Sequence, residues 1–136
     1  MDINLATTFL PHTDPEASLA FYRDALGFEL KLDVGEGTMR WLTVAPAGSA
    51  TSIVLTPPGV AETGISEAEK ATILGLMAKG AYASIILATD DLEGLFERIE
   101  ASGAEIIQEP TDQSWGVRDC AVRDPAGNTV RIQQRS

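Results

Sequence analysis

The side chains able to do chemistry are few. The 136 residues include one histidine, His12, and one cysteine, Cys120. A single cysteine rules out an internal disulfide framework and a cysteine-based zinc knuckle, and it fits a reducing compartment. Arg118 and Arg123 lie near Cys120 in sequence and would lower its thiol pKa if they faced it; an isolated strand cysteine otherwise serves as a small buried hydrophobe. His12 with Asp14 or a loop carboxylate could make an unusual metal site, or it could be a solvated or helix-capping histidine. Trp41 and Trp115 are the natural aromatic platforms, suited to ligand stacking or to core and interface packing. Twenty Asp plus Glu against ten Lys plus Arg leave a formal charge of −10. That charge repels phosphate backbones and anionic lipid surfaces, so neither nucleic acid nor membrane is expected as a partner.

The elements that must position these residues can be read from period and punctuation. With 44% hydrophobic and 22% charged residues, the composition is that of an ordinary globular domain with a real core. No apolar run approaches the roughly 20 residues of a spanning helix, and Met1-Asp2-Ile3-Asn4 has no basic region leading into an apolar stretch, so a cytoplasmic location is expected. Ile3 to Leu10 reads as a strand ended by Pro11. Asp14-Pro15-Glu16 then offers an N-cap, a proline at the first helical position and an acid in the first turn, ahead of Leu19, Tyr22 and Leu26 at helical spacing and Gly27 as the stop. Phe28 to Val34, Thr38 to Pro46 and Ala50 to Thr56 form a meander separated by Gly35-Glu36-Gly37 and Ala47-Gly48-Ser49. Ser66 to Glu69 fits a capping box for a short helix or ordered loop closed by Gly80.

From Tyr82 the order repeats. Tyr82 to Ala88 is a strand, Asp90-Asp91-Leu92-Glu93 a second capping box, Leu95, Phe96 and Ile99 a helix face, and Gly103 its stop. Ala104 to Gln108, Val117 to Asp124 and Thr129 to Gln133 supply three more strands, with Asp124 to Asn128 as the last turn. Asp14 and Asp91 hold equivalent places 77 residues apart, so the chain reads as two βαβββ modules of α+β class. One domain is expected over residues 1–136, with module one at about 1–60, a connecting helix or loop at about 61–80 and module two at about 81–136.

Helix, Phe21-Tyr22, Leu26-Gly27-Phe28, then Trp115-Gly116-Val117-Arg118 and Asp124-Pro125-Ala126-Gly127-Asn128, in that order, resemble the vicinal oxygen chelate superfamily: glyoxalase I, extradiol dioxygenases and the bleomycin resistance proteins. The resemblance covers nearly the whole chain. It implies curved mixed sheets around a cavity with the helices on the convex side, and a homodimer whose cavities form at or near the interface. It carries less about function, since the scaffold hosts isomerases, dioxygenases, thiol transferases and pure binders. Phe21 and Tyr22 read as packing residues, and Asp124 to Asn128 as a turn.

The resemblance also implies four metal-ligand positions, and these fall on Thr7, Ser84, Arg131 and, for the first module's last strand, near Val54. None suits a divalent ion, and Arg131 is a permanent cation. Shifting the alignment by one residue brings in Ala6, Thr8, Ala83, Ile85, Val130 and Ile132, which are no better. No metal ligand is therefore assigned and no cofactor is expected, a divalent metal remaining open only through a non-standard site.

If Thr7 faces the cavity, alternation places Leu5 and Phe9 beside it, Ser52, Val54 and Thr56 on the fourth strand, Tyr82, Ser84 and Ile86 on the fifth, and Thr129, Arg131 and Gln133 on the last. The candidate ligand-binding residues are Thr7, Phe9, Trp41, Ser52, Val54, Ser84, Trp115, Arg131 and Gln133. Apolar walls with hydroxyls, an amide and a guanidinium suit a small molecule. Arg131 needs an anion, from a ligand or from an internal salt bridge, while the overall acidity favours a cationic ligand. Thr111 to Ser114 and Pro57 to Ile65 are candidate lids. The leading expectation is a dimeric, metal-independent small-molecule binder of sequestration or resistance type. The alternative is a lyase, isomerase or dioxygenase with an unusual metal site or an Arg131 electrophile, its catalytic residues unassigned. A structural or regulatory interaction protein is the third reading.

Overall fold

A computed structural model describes residues 1–59 and 64–136, and its organisation starts from two capped helices. Asp14 and Asp91 accept hydrogen bonds from Ala17 N and Gly94 N. These side chains satisfy amides that a helix start otherwise leaves unpaired. In chain order the elements are β1 (Thr7–Pro11), α1 (Pro15–Leu19), β2 (Glu29–Val34), β3 (Trp41–Ala45), β4 (Ser52–Thr56), α2 (Glu67–Ala78), β5 (Ser84–Thr89), α3 (Leu92–Ala101), β6 (Glu105–Asp112), β7 (Arg118–Arg123) and β8 (Thr129–Gln134). Helix α1 continues as a wider π-helical stretch over Ala20–Ala25, closed by Leu26 N–H donating to the Phe21 carbonyl at 3.0 Å. No described helix is long and apolar enough to cross a membrane.

The strands form two four-stranded mixed sheets, ordered β1-β4-β3-β2 and β5-β8-β7-β6. In each, the strand before the helix runs parallel to the last strand of the module, and the other pairings are antiparallel. Thr7 lies opposite Ser52 and Ser84 opposite Thr129, so one displacement of 77 residues carries the first register onto the second. The two βαβββ modules are thus repeated in backbone register as well as in order.

Alternation in every strand sends one set of side chains toward the helices. Leu10, Leu42, Val44, Ile53 and Leu55 from the first sheet meet Cys120, Val122, Val130 and Ile132 from the second, with Phe21, Tyr22, Phe96 and Ile99 from the helical segments, in one apolar cluster. Each buried Leu, Ile, Val or Phe contributes about 1.5–3 kcal/mol by leaving water. The opposite face of each sheet points away from this cluster and is far more open.

One polar group binds the modules at this core. Asp124, in the turn between β7 and β8, is buried, and its Oδ2 accepts from Tyr22 Oη at 2.6 Å and Asn128 Nδ2 at 2.7 Å. Its Oδ1 accepts from the Ala126 and Asn128 amides at 2.9 and 3.0 Å. Asn128 Nδ2 also donates to the Pro11 carbonyl at the end of β1, at 2.9 Å. Burial pushes the Asp124 carboxyl above its ordinary range against the pull of these donors, and burial together with the Asp124 charge pushes the Tyr22 phenol well above its own.

Several sequence expectations shift. Strand β1 starts at Thr7, and Ile3 and Leu5 are exposed. Pro11 closes β1 from inside, which an edge strand tolerates because no neighbour needs its missing N–H. The Gly35 to Gly37 turn is longer than a hairpin needs, since a 3-10 turn over Gly37–Met39 delays β3 to Trp41. The Ser66–Glu69 capping box forms, but Asp91 makes none, because Gly94 occupies the position that would reach back. A Cβ at Gly94 would collide with the Asp91 carboxylate, so the glycine makes room for the cap. Thr111 and Asp112, expected in a lid, belong to β6. The proposed Pro57 to Ile65 lid lies partly outside the described residues.

Two outcomes are expected. Tyr22→Phe removes one donor from buried Asp124 and should lower stability by about 1–3 kcal/mol in urea unfolding. Because the native phenol keeps its proton at pH values where the unfolded one loses it, the native state binds more protons there. Wild-type stability should therefore fall as pH rises above about 10, and the Phe variant should lose that part of the slope. Gly127→Ala should cost about 1–3 kcal/mol, since Gly127 has φ +91° and a Cβ there would strike the Met77 carbonyl that anchors α2; unchanged thermal unfolding would contradict this packing.

Candidate functional site

The open face of the first sheet gathers five of the candidate residues. Thr7 and Phe9 on β1 lie opposite Ser52 and Val54 on β4, and Thr43 on β3 follows Val54. Thr7 Oγ1 and Ser52 Oγ are 3.2 Å apart and hydrogen bonded. The Phe9 and Trp41 rings meet edge to face, with centroids 6.3 Å apart at 88°, a favourable aromatic geometry. Leu32 and Val34 on β2 extend the same face beside Thr43 and Trp41. Phe9 is 48% exposed and Leu32 56%. This is an apolar, aromatic surface with hydroxyls along one edge.

The open face of the second sheet is polar. Ser84 and Ile86 on β5 lie opposite Thr129 and Arg131 on β8, and Gln133, Arg131 and Thr129 face Asp119, Ala121 and Arg123 on β7. Arg131 Nη1 donates to Asp119 Oδ2 at 3.1 Å, with the Asp119 side chain 3% exposed and that of Arg131 35%. Gln113 Nε2 donates to the other Asp119 oxygen at 2.9 Å and to Gln108 Oε1 at 3.0 Å. The anion that Arg131 requires is therefore supplied from within the chain. Sequence reasoning missed Asp119, Gln113 and Gln108, although alternation in β7 would have placed Asp119 opposite in sense to Cys120 and beside Gln133.

A cavity of about 440 Å³ opens against this second face, lined by the segment 80–86 with Thr129 and Arg131. Another, of about 580 Å³, lies on the helix side between Phe21, Leu74, Met77 and Ala126, away from every candidate residue. Trp115 sits in the turn between β6 and β7, exposed, and lines neither cavity. The structure thus brings together Thr7, Phe9, Trp41, Ser52 and Val54 on one sheet and Ser84, Arg131 and Gln133 on the other.

The remaining chemistry-bearing groups are spent elsewhere. Cys120 faces the core opposite Ile132, and burial, followed by the neighbouring Asp119 charge, pushes its thiol up to about 11. Arg118 is held by Glu93 and Asp112, and Arg123 by Glu105, so neither activates it. His12 is buried, its Nε2–H donating to the Arg40 carbonyl at 2.6 Å, while Asp14 is used as a helix cap.

The donor set at the positions where the resemblance implies metal ligands does not fit a divalent ion. Thr7 and Ser84 offer neutral hydroxyls, Val54 offers nothing, and Arg131 carries the same sign of charge as the metal. Among the described residues no group of three or more His, Cys, Asp or Glu side chains is placed to hold one.

Known proteins share this scaffold. YetH of Bacillus subtilis (strain 168), described as uncharacterized, is 27% identical over 122 residues, covering 89% of each chain. The crystal structure of UcmS2 superposes with a TM-score of 0.82 at 29% identity, covering 98% of both chains. TnmS3, an antibiotic binding protein from Streptomyces sp. CB03234, superposes with a TM-score of 0.75 at 27% identity, covering 99% of this chain and 98% of its own. Residues 4–132 match the family model of the Glyoxalase/Bleomycin resistance protein/Dioxygenase superfamily, and with the paired βαβββ modules and the Tyr22–Asp124 tie in place, the chain belongs to that superfamily.

Proposed function

We propose that this protein is a metal-independent binder of a small organic molecule, acting by sequestration in the manner of a resistance protein. The observation that carries the reading is the donor set: at the four positions where the family resemblance places metal ligands stand Thr7, Val54, Ser84 and Arg131, and Arg131 is neutralised by Asp119. A divalent ion there would meet a guanidinium and an isopropyl group instead of a carboxylate and an imidazole. The likeness to TnmS3, itself an antibiotic binding protein, supports binding without chemistry. A lone buried cysteine suits a reducing, cytoplasmic setting.

The ligand would lie between an aromatic first-sheet face and a polar second-sheet face. Within one chain both faces point away from the shared helical core, so a second copy, turning its second sheet toward the first sheet of its partner, would complete two equivalent sites. The exposed Phe9, Leu32 and Val34 fit an apolar surface kept for that contact and for ligand.

Two measurements test these statements. Metal analysis of untagged protein, with thermal unfolding in added Mn, Fe, Ni or Zn, should give substoichiometric metal and no rise in melting temperature; one metal per chain with a clear rise would establish a metalloprotein instead. Native mass spectrometry should show twice the 14.5 kDa chain mass. Phe9→Asp with Leu32→Asp should convert that species to monomer while leaving the far-UV spectrum unchanged, and a persistent dimer would place the interface elsewhere.

A further inference from the structure

We propose that the second-sheet face selects a neutral carbonyl group of the ligand over a carboxylate or other anion, because the charge of Arg131 is already consumed by Asp119. The inference rests on the small-molecule reading above and names the chemistry of its polar half. Arg131 and Asp119 form an ion pair whose anionic member is buried. Asp119 is held on its second oxygen by Gln113, which Gln108 in turn restrains. The pair is therefore a fixed, nearly neutral unit, not a mobile counter-ion that a ligand could displace.

What the unit still presents is donors. Among the described residues, Nε and Nη2 of Arg131 have no hydrogen-bond partner, and Arg131 lines the 440 Å³ cavity with Tyr82, Ser84, Ile86 and Thr129. Thr129 Oγ1 accepts from Arg123 Nη1 at 3.3 Å, which leaves its proton to donate. Guanidinium N–H groups and three hydroxyls around an Ile86 wall suit an oxygen that accepts hydrogen bonds and needs no countercharge. The free Nε/Nη2 edge could reach a carboxylate with both prongs, but the Asp119 carboxylate beside it already balances the guanidinium charge, so too little net attraction remains to repay the carboxylate's desolvation. The chain's formal charge of −10 adds repulsion. A ketone, ester or amide carbonyl on an apolar frame loses little on desolvation and uses the same donors.

Two probes of matched shape separate the charges: 2-acetylnaphthalene, a neutral ketone, and 2-naphthoate, its carboxylate counterpart. Calorimetry or fluorescence titration of the wild-type protein should give about tenfold or more tighter binding of the ketone, a ratio that needs no variant. In Asp119→Asn, Arg131 becomes an unpaired cation, and the preference should move toward naphthoate by about tenfold or more. A thermal melt accompanies each titration, and Arg131→Met should weaken ketone binding severalfold. Equal or tighter binding of naphthoate by the wild type, or an unchanged ratio in folded Asp119→Asn, overturns the inference while leaving the binder reading intact. Failure of both probes at millimolar concentration also overturns it, and the binder reading then stands or falls with a broader screen for compounds that raise the melting temperature.

Discussion

The buried carboxylate of Asp124 is the constraint on which the arrangement depends. A module of this size covers too little apolar surface to be comfortable alone, and here both give their helix-facing sides to one cluster. The junction is specified by four donors to Asp124 from two segments, the Tyr22 hydroxyl of the first helix and the Ala126 amide, Asn128 amide and Asn128 side chain of the last turn, and Asn128 also donates to the Pro11 carbonyl at the end of β1. A carboxylate taken out of water costs several kcal/mol unless its lone pairs are met, and here all are met. The result is a polar key inside an apolar interface, which fixes the angle and register of two modules that greasy packing alone would hold less specifically.

Because the key lies among the helices, the other face of each sheet is released from structural duty. The displacement of 77 residues that maps Thr7 onto Ser84 and Ser52 onto Thr129 also maps Phe9 onto Ile86 and Val54 onto Arg131. The backbone positions are equivalent and the side chains are not. One face became aromatic and apolar, while the other acquired an ion pair and two restrained amides. A ligand spanning both would be gripped by stacking at one end and oriented by hydrogen bonds at the other, the usual division of labour in small-molecule sites.

The parts of this fold legible in the sequence were those encoded locally. Asp14, Asp91 and Ser66 announce helix starts, Gly27 and Gly103 helix ends, and Asp124 to Asn128 a turn, because caps and turns are settled within a few residues. The missing capping box at Asp91 was hidden by one glycine, Gly94, whose room for the cap shows only in three dimensions. Alternation gave the correct open face for Thr7, Phe9, Val54 and Arg131 once the register was known. It could not supply the partner of Arg131, since Asp119 reaches it diagonally across β7 and β8 and is locked there by Gln113, a residue from the turn beyond β6. Cross-strand charge pairs depend on register and side-chain reach, neither of which composition records.

Strand parity also accounts for a resemblance that is strong for fold and weak for function. Tyr22, Phe28, Asp124 and Asn128 are buried on the helix side, so nearly any substitution there costs stability. The positions where the resemblance implies ligands lie on the opposite faces, where Thr7, Val54, Ser84 and Arg131 can vary without disturbing the core. Side chains on these faces can be exchanged with little effect on the fold, provided any charges introduced are balanced where they sit. Arg131 alone would be a half-buried, unpaired cation, and Asp119 on the adjacent strand removes that penalty. The pairing of Arg131 with Asp119 is therefore the compensation that lets a guanidinium stand at this position.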